Sequence, residues 1–579
     1  MRSHVSFGRP HNALALYYNY LHSLPCLGLT CYTFVALLKA CAKLQDLVGG
    51  SHIHAEVARM GFLESDYYVG SSLICMYGEC GFLGKAQEVF HGLLLRNVVT
   101  WNTLIAAYVN HGFGERALGY FEEMEHCGVS PNAVTFVCSL KACGSIRGIE
   151  DGKSLHNEIL TRGLLEEDVV IGRAMVSMYA KMGLISVAQL VFDKLQWHDV
   201  ISWTALIEGY SEHGYAQEAL ELYGKMKLHG VNPNAVTLLC ILKACGSIGA
   251  IDKGQETHTE IVKKGLLETH FILGNSLVDM YAKCGFFIEA KQSLDMLPNQ
   301  NVVAWTALIA GHVDHNQGLE ALNCFEEMLH QDVLPNVITF VCSLKACGSI
   351  GAIQKGQEIH AEVERKGFLE GNILIGSTLI NMYCDWADLV KAQEIFKKLP
   401  IGNVVSWNAL ISGYCKYGYY EEVLECFYQM QDQSIIPNNA TYVCILKACS
   451  MTGDIKTGCE IHAETKRRGS FKEDMMIGNS LIDMYARNGW VIRAQEIFFE
   501  LPVPDIVSWT TLIYGYAEDG QREESLQCLQ RMQLKGISFD AHTFSCILKV
   551  CGDVGSIEEG YHIHSEIERK GLFDQDLGI

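Results

Sequence analysis

Apolar residues recur along this chain at helical spacing, in pairs of short runs closed by turn residues. Leu104, Ile105 and Tyr108 place apolar groups at i, i+1 and i+4, and Gly112 then ends the run as a residue free to adopt the left-handed conformation. A second run puts Ala117, Leu118, Phe121 and Met124 on one face and stops at Gly128, ahead of Pro131. The pattern predicts two antiparallel helices. It contains no strand-like alternation. Elsewhere the first stop is Gly214, Asn316, Gly418 or Gly520, and Asn is the other residue that tolerates the left-handed region.

The helix pair repeats. Trp101, Trp203, Trp305, Trp407 and Trp509 lie 102 residues apart, inside the near-copies VVTWNTLI, VISWTALI, VVAWTALI, VVSWNALI and IVSWTTLI. Each 102-residue block divides into three related units. One of 35 residues begins at Val98, Val200, Val302, Val404 and Ile506. One of 36 begins at Cys31, Ala133, Ala235, Val337, Asn439 and Ala541. One of 31 begins at Tyr67, Val169, Phe271, Ile373 and Met475.

A helix pair this small cannot bury its apolar face alone, so neighbouring units must stack on it. The expected fold is all-α: a right-handed α-solenoid superhelix of stacked antiparallel helix pairs. The expected layout is a segment 1–30 carrying a degenerate half-repeat (Ala13–Leu24), sixteen units over 31–576, and a stub 577–579.

Composition agrees with one architecture throughout. Of the 579 residues 49% are hydrophobic and 19% charged, with 10 prolines and no low-complexity linker. No apolar run approaches the roughly 20 residues needed to cross a bilayer, so no membrane partner is expected. The 23 cysteines fall inside apolar helical stretches, as at Cys138, Cys240, Cys342, Cys444 and Cys546, where a free thiol acts as a small hydrophobe. A reducing compartment follows. The net charge of −21 excludes non-specific, whole-surface nucleic-acid binding, so any such site must be local and shaped. No Asp or Glu precedes Asp46, while Arg2, Arg9, Lys39 and Lys43 are basic, a weak transit-peptide signature.

The units TWNTLIAAYVNHGFGERALGYFEEMEHCGVSPN, TFVCSLKACGSI and IGNSLVDMYAKCG resemble the plant pentatricopeptide-repeat family, specifically its mixed-length class in which 35-, 36- and 31-residue motifs alternate. The resemblance runs from about Ala13 to the end. It implies that each repeat faces one nucleotide of single-stranded organellar RNA, read by the fifth and last residues of a motif, while an apolar second residue wedges against the base. In the 35-residue units these reading pairs are Asn102 with Asn132, Thr204 with Asn234, Thr306 with Asn336, Asn408 with Asn438, and Thr510 with Asp540. In the 31-residue units they are Ser71 with Asn97, Arg173 with Asp199, Asn275 with Asn301, Ser377 with Asn403, and Asn479 with Asp505. The wedges are Val99, Ile201, Val303, Val405 and Val507.

The resemblance implies adenine for Thr or Ser with Asn, guanine for Thr with Asp, uracil for Asn with Asp, and a pyrimidine for Asn with Asn. The implied target from Ser71 onward is A-Y-x-x-A-x-Y-A-x-A-Y-x-U-G-x. The 36-residue units depart from the code, because Val35, Val137, Leu239, Val341 and Val443 occupy their fifth position and can form no base-edge hydrogen bond. Arg173 matches no code letter. A plainer reading makes the Asn, Asp and Thr residues helix caps and turn formers. Against it, the fifth position toggles between Asn and Thr in near-identical copies while its Trp and Leu neighbours stay fixed.

Other candidate chemistry is excluded by count or spacing. H-x-E occurs six times, at His54/Glu56, His156/Glu158, His258/Glu260, His360/Glu362, His462/Glu464 and His564/Glu566, always in the second helix of a 36-residue unit. One deaminase zinc needs a single H-x-E with a downstream C-x-x-C, and no C-x-x-C occurs. Pairs such as Cys342/Cys347 put their thiols on different helix faces, a poor metal pair. No metal, cofactor or catalytic residue is expected. Lys141, Lys243, Lys345, Lys447 and Lys549 repeat every 102 residues, either as a track for phosphates or as a solvated face.

Three residues follow Asp576, and a deaminase domain of the kind in which members of this class often end is not expected within this sequence. The expectation is a plant mitochondrial or chloroplast protein that binds RNA sequence-specifically and marks a site for C-to-U editing by an enzyme recruited in trans. The rivals are an RNA stabilisation or translation factor, and a helical protein–protein scaffold.

Overall fold

The computed structural model describes residues 10–23, 30–298, 300–399, 403–469, 474–537 and the single positions 543, 544, 548, 561, 564 and 565. Asp540, Cys546, Lys549 and Glu566 lie outside the described residues, as do Arg2, Arg9 and Leu24. Every regular element among those described is a helix. The chain forms two compact units, Met1–Asn299 and Gln300–Ile579.

In the first unit the helix Pro10–Ser23 packs on Cys31–Leu44, burying Ala13 and Tyr17 completely. From there each repeat is an antiparallel pair, as in Val98–Asn110 with Gly114–His126 and Ala133–Ile146 with Ile149–Thr161. First helices stack on the first helices of their neighbours, and second helices cover one side of that row. The second unit repeats the scheme, for example in Val404–Lys416 with Tyr420–Asp432 and Asn439–Thr452 with Ile455–Arg468. Within each unit the architecture is an α-solenoid of stacked pairs.

Described first helices begin at the first residues of the sequence units, and the reason is chemical. The residue before each start is in most units an Asn or Asp whose side chain accepts the free backbone N–H groups of the first turn. Asn132, Asn234, Asn336 and Asn438 each accept from the Thr three residues on, whose hydroxyl answers back to the cap backbone. Glycines at positive φ, such as Gly112 and Gly214, close first helices of the 35-residue units as expected, and Asn316 takes the same conformation at φ 58°.

The tryptophans fix the junction between 31- and 35-residue units. Trp101, Trp203, Trp407 and Trp509 meet Phe90, Phe192, Phe396 and Phe498 edge to face, with centroids 4.5–4.7 Å apart. In three of the 36-residue units the extra length forms a one-turn helix after the second helix, at Phe62–Ser65, Leu164–Glu167 and Phe368–Gly371. The apolar periodicity gives no sign of these turns.

The cysteines of the 36-residue units are core residues. Cys143, Cys245, Cys347 and Cys449 are fully buried, and burial pushes each thiol up to about 12. No helix among the described residues is long and apolar enough to cross a membrane.

Candidate nucleic-acid interface

Fifth and last residues of a unit, some 26–30 positions apart in sequence, come together in space. Asn102 donates through Nδ2 to Oδ1 of Asn132 at 2.9 Å, and Asn408 donates to Asn438 at the same distance. Asn479 donates to both carboxylate oxygens of Asp505 at 3.2 and 3.3 Å. Arg173 forms an ion pair with Asp199 at 2.9 Å.

Where the fifth residue carries a hydroxyl, the link is indirect or absent. Thr204 and Thr306 turn Oγ1 to the carbonyls of Val200 and Val302 and meet Thr237 and Thr339 at 2.7 Å. Those threonines in turn donate to Asn234 and Asn336 at 3.0 Å. Thr510 meets Thr543 in the same way. Ser71 and Ser377 return their hydroxyls to carbonyls of their own first turn, at Tyr68 and at Ile373 and Leu374. Asn275 lies in the first helix Phe271–Lys283, and Asn301 caps Val302–Asp314.

The capping interpretation also holds. Asn97, Asn132, Asp199, Asn234, Asn301, Asn336, Asn403, Asn438 and Asp505 all accept backbone N–H groups at helix starts. In Asn132, Asp199, Asn438 and Asp505 the same side chain caps a helix start and bonds the fifth residue of its unit. Most fifth residues present little surface: Asn102 is 8% exposed, Thr204 7% and Ser377 3%. The last residues lie nearer solvent, with Asn132, Asn234 and Asn438 exposed.

Asn102 and Asn132 form the floor of a cleft. In the first unit a cavity of about 370 Å³ is lined by Val99, Asn102, Ala106, Asn110, Asn132 and Val134. Its two apolar sides, Val99 and Val134, are the second residues of successive repeats, 44% and 56% exposed. Ile201, Val303, Val405 and Val507 are about half exposed as well. The apolar second position extends beyond the five wedges read from the sequence. Tyr68, Val170, Ile272, Leu374 and Met476 in the 31-residue units, and Tyr32, Val236 and Ile338 in the 36-residue units, are likewise exposed. The signal was present in the sequence, as one apolar residue per unit facing away from the buried side. A regular series of exposed apolar groups calls for a ligand.

The lining also places the ninth and thirteenth residues of a first helix on the cleft, as Ala106 and Asn110 show. In the first unit these positions hold six basic residues (Lys39, Lys43, Lys141, Lys181, Lys243, Lys283) and four acidic (Glu79, Glu208, Glu212, Asp279). In the second unit they hold four basic (Lys345, Lys416, Lys447, Arg487) and four acidic (Asp314, Asp385, Asp483, Glu518). Against a chain total of −21, this face is neutral to slightly positive. Burial, with Glu212 adding, further pushes the Glu208 carboxyl up. The acidity resides elsewhere.

The H-x-E histidines are structural links. His54, His156, His258, His360 and His462 each bond through Nδ1 to the hydroxyl of Tyr77, Tyr179, Tyr281, Tyr383 or Tyr485, in the first helix of the next repeat, at 2.7–3.1 Å. Their glutamates are held by nearby cations, Glu56 by Arg59 and Glu464 by Arg467 and Arg468. No group of His, Cys, Asp and Glu among the described residues is arranged to hold a metal ion.

A row of stacked antiparallel helix pairs, with an exposed apolar second residue recurring along it, defines a tandem helical-repeat protein. The PPR repeat family model matches residues 96–145, 198–247, 300–349, 402–451 and 504–553, and the PPR repeat model matches 275–302 and 479–503. A chloroplastic pentatricopeptide repeat-containing protein of Arabidopsis thaliana is 35% identical over 503 residues, covering 87% of this chain and 81% of the relative. A mitochondrial one from the same plant is 33% identical over 83% of this chain and 70% of the relative. The chain belongs to the pentatricopeptide-repeat family. It spans only 58–61% of the length of several other matched relatives. Among solved structures, the maize pentatricopeptide repeat protein PPR10 is similar with a TM-score of 0.61 at 19% identity, over 99% of this chain and 88% of that one. PPR10 in complex with an 18-nt psaJ RNA element gives 0.58 at 18%, over 100% and 89%. This likeness is one of fold.

Proposed function

We propose that this protein is a sequence-specific single-stranded RNA reader of a mitochondrion or plastid, taking one base into the cleft of each 35- or 31-residue repeat. The observation that carries the reading is the cleft between Val99 and Val134, floored by Asn102 and Asn132. A flat base stacks between two apolar side chains and turns its edge toward the polar floor. Relatives named as chloroplastic and mitochondrial, and the maize neighbour solved with RNA, support the compartment and the ligand class.

The chemistry of the floor supports a difference in preference between repeats. With Asn102 in place, its Oδ1 accepts from Thr135 and the Oδ1 of Asn132 is taken, so both amides offer N–H donors. That suits the acceptor-rich edge of a pyrimidine. With Thr204 in place, the hydroxyl proton has a protein partner, leaving a lone pair beside the Asn234 amide. One acceptor beside one donor suits adenine, which donates from N6 and accepts at N1. In the Asn479 pair, burial pushes the Asp505 carboxyl up, but hydrogen bonds from Ser508, Asn479 and the backbone outweigh it and hold the group below its usual range. An ionised acceptor there suits the N3–H of uracil.

The bound site is then marked for C-to-U editing by a deaminase recruited in trans. Crosslinking and sequencing of RNA recovered with the protein from organelles tests both levels. Recovery of transcripts carrying A-Y-x-x-A-x-Y-A-x-A-Y-x-U-G-x just upstream of an edited cytidine is expected. Recovery of RNA without that string counts against the base assignments, and recovery of no RNA counts against the reading itself.

A further inference from the structure

The 36-residue repeats have the wedge but no base-edge reader, and they carry one feature the other repeats lack. Tyr32, Val134, Val236 and Ile338 are exposed wedges, while Val35, Val137, Leu239, Val341 and Val443 give the floor no hydrogen-bonding group. Seven residues after the wedge, and so two helical turns along the same face, stand Lys39, Lys141, Lys243, Lys345 and Lys447. All five are exposed in the midst of buried neighbours.

None of these lysines makes an ion pair among the described residues, and their recurrence at one position of one unit type sets them apart. Several lysines of the second helices are neutralised by nearby carboxylates: Lys153 by Glu150 at 2.9 Å, Lys253 by Glu256 at 2.8 Å, Lys391 by Glu394 at 2.9 Å and Lys466 by Glu500 at 3.0 Å. On the cleft face, three of the five thirteenth-position cations, Lys283, Lys416 and Arg487, are paired with Asp279, Asp385 and Asp483. A lysine outside any direct ion pair, on the face that holds the wedge, is poised for an external anion.

We propose that the 36-residue repeats are phosphate anchors: each holds an RNA phosphodiester through its ninth-position lysine, so that backbone contacts recur every third nucleotide while the two intervening repeats read bases. The inference rests on the RNA-reading function above. It divides the labour between unit types. The acidic chain binds a polyanion through five point charges: four fall at the unread third, sixth, ninth and twelfth letters of the implied string, and Lys39 falls one nucleotide before its first letter.

The test uses the full chain and a 16-nucleotide RNA of the implied sequence with one nucleotide added before its first letter, with affinity measured from 50 to 200 mM salt. Replacing the five lysines by Gln should flatten the log affinity against log salt plot by about 0.7 per lysine, the single-strand counterion value, with base preferences unchanged. A control carrying Gln at Lys153, Lys253, Lys391 and Lys466 should keep the parent slope. In a second arm the parent binds three RNAs with neutral methylphosphonate linkages at every third position, one RNA per phase. One phase alone should lose affinity. Equal loss in all three phases, or an unchanged slope in the five-lysine variant, overturns the anchor assignment while leaving RNA reading intact. A parent that binds none of the RNAs overturns the reading itself.

Discussion

The imidazole Nδ1 of His156 lies 2.7 Å from the hydroxyl of Tyr179, joining the second helix of one repeat to the first helix of the next. Four further pairs repeat this link at the same 23-residue separation. Burial lowers the pKa of His54, His156, His258, His360 and His462, with Lys85, Lys194 and Lys466 adding to the effect at the first, second and fifth. An unfolded histidine takes its proton near pH 6.5. The folded ones take theirs only at lower pH, so between those values protonation favours the unfolded chain. The melting temperature is expected to hold above about pH 7 and to fall as pH drops through 6.5. A scan from pH 8 to 5 checks it, and a curve flat to pH 5.5 would remove the histidines from the account.

A second expectation concerns Thr204. Replacing it by Asn supplies a donor where a lone pair stood, so the preference at the fifth letter of the implied string should move from adenine toward a pyrimidine. The change should be roughly 1–3 kcal/mol if the penalty per mismatched base in DNA readers carries over. Competition binding with RNAs differing at that letter measures it. An unmoved preference means the fifth residue does not touch the base.

Asn234 separates its two duties by substitution. Asn and Asp cap helices about equally well, whereas Ala costs about 1 kcal/mol. Asn234→Asp should therefore melt with the parent while shifting preference at the same letter from adenine to guanine. Asn234→Ala should lose both stability and discrimination. Calorimetry and binding together decide this. A variant that melts lower as Asp would show that the amide holds more than the cap.

The glycines divide by what surrounds them. A Cβ on Gly209 would stand 2.6 Å from Ala180 Cβ and 3.1 Å from its Cα, a contact between the first helices of adjacent repeats. Gly209→Ala should destabilise by about 1–3 kcal/mol, as overpacking does. Gly224, in the second helix of the same repeat, meets nothing within 4 Å. There Ala should stabilise by up to about 1 kcal/mol through helix propensity. Equal melting temperatures for the two variants would contradict the close approach at Gly209.

Much of this was legible in the sequence because repetition amplifies weak local signals. The tryptophan period fixed the block length, and the turn residues around Gly112 and Gly128 placed the helix ends. The pairing of Asn102 with Asn132 was accessible only through resemblance, since no local rule links residues 30 positions apart. The burial of Thr204 and Ser377 was not legible, because whether a polar side chain on a first helix faces solvent depends on how closely the next repeat stacks. Nor was the bond between His156 and Tyr179, although both recur with the block period, because periodicity says which residues are equivalent and not which ones touch.

The double duty of the last residue restricts how the protein can be retargeted. A side chain there must cap a helix start whatever letter it reads under the proposed function, and among ordinary residues few suit both. Exchanging Asn for Asp is nearly free, while any bulkier or aliphatic choice loosens the following repeat. The vocabulary available to a designer, or to natural drift, is therefore small at that position and wider at the fifth. New specificities are most cheaply reached by altering the first-helix partner.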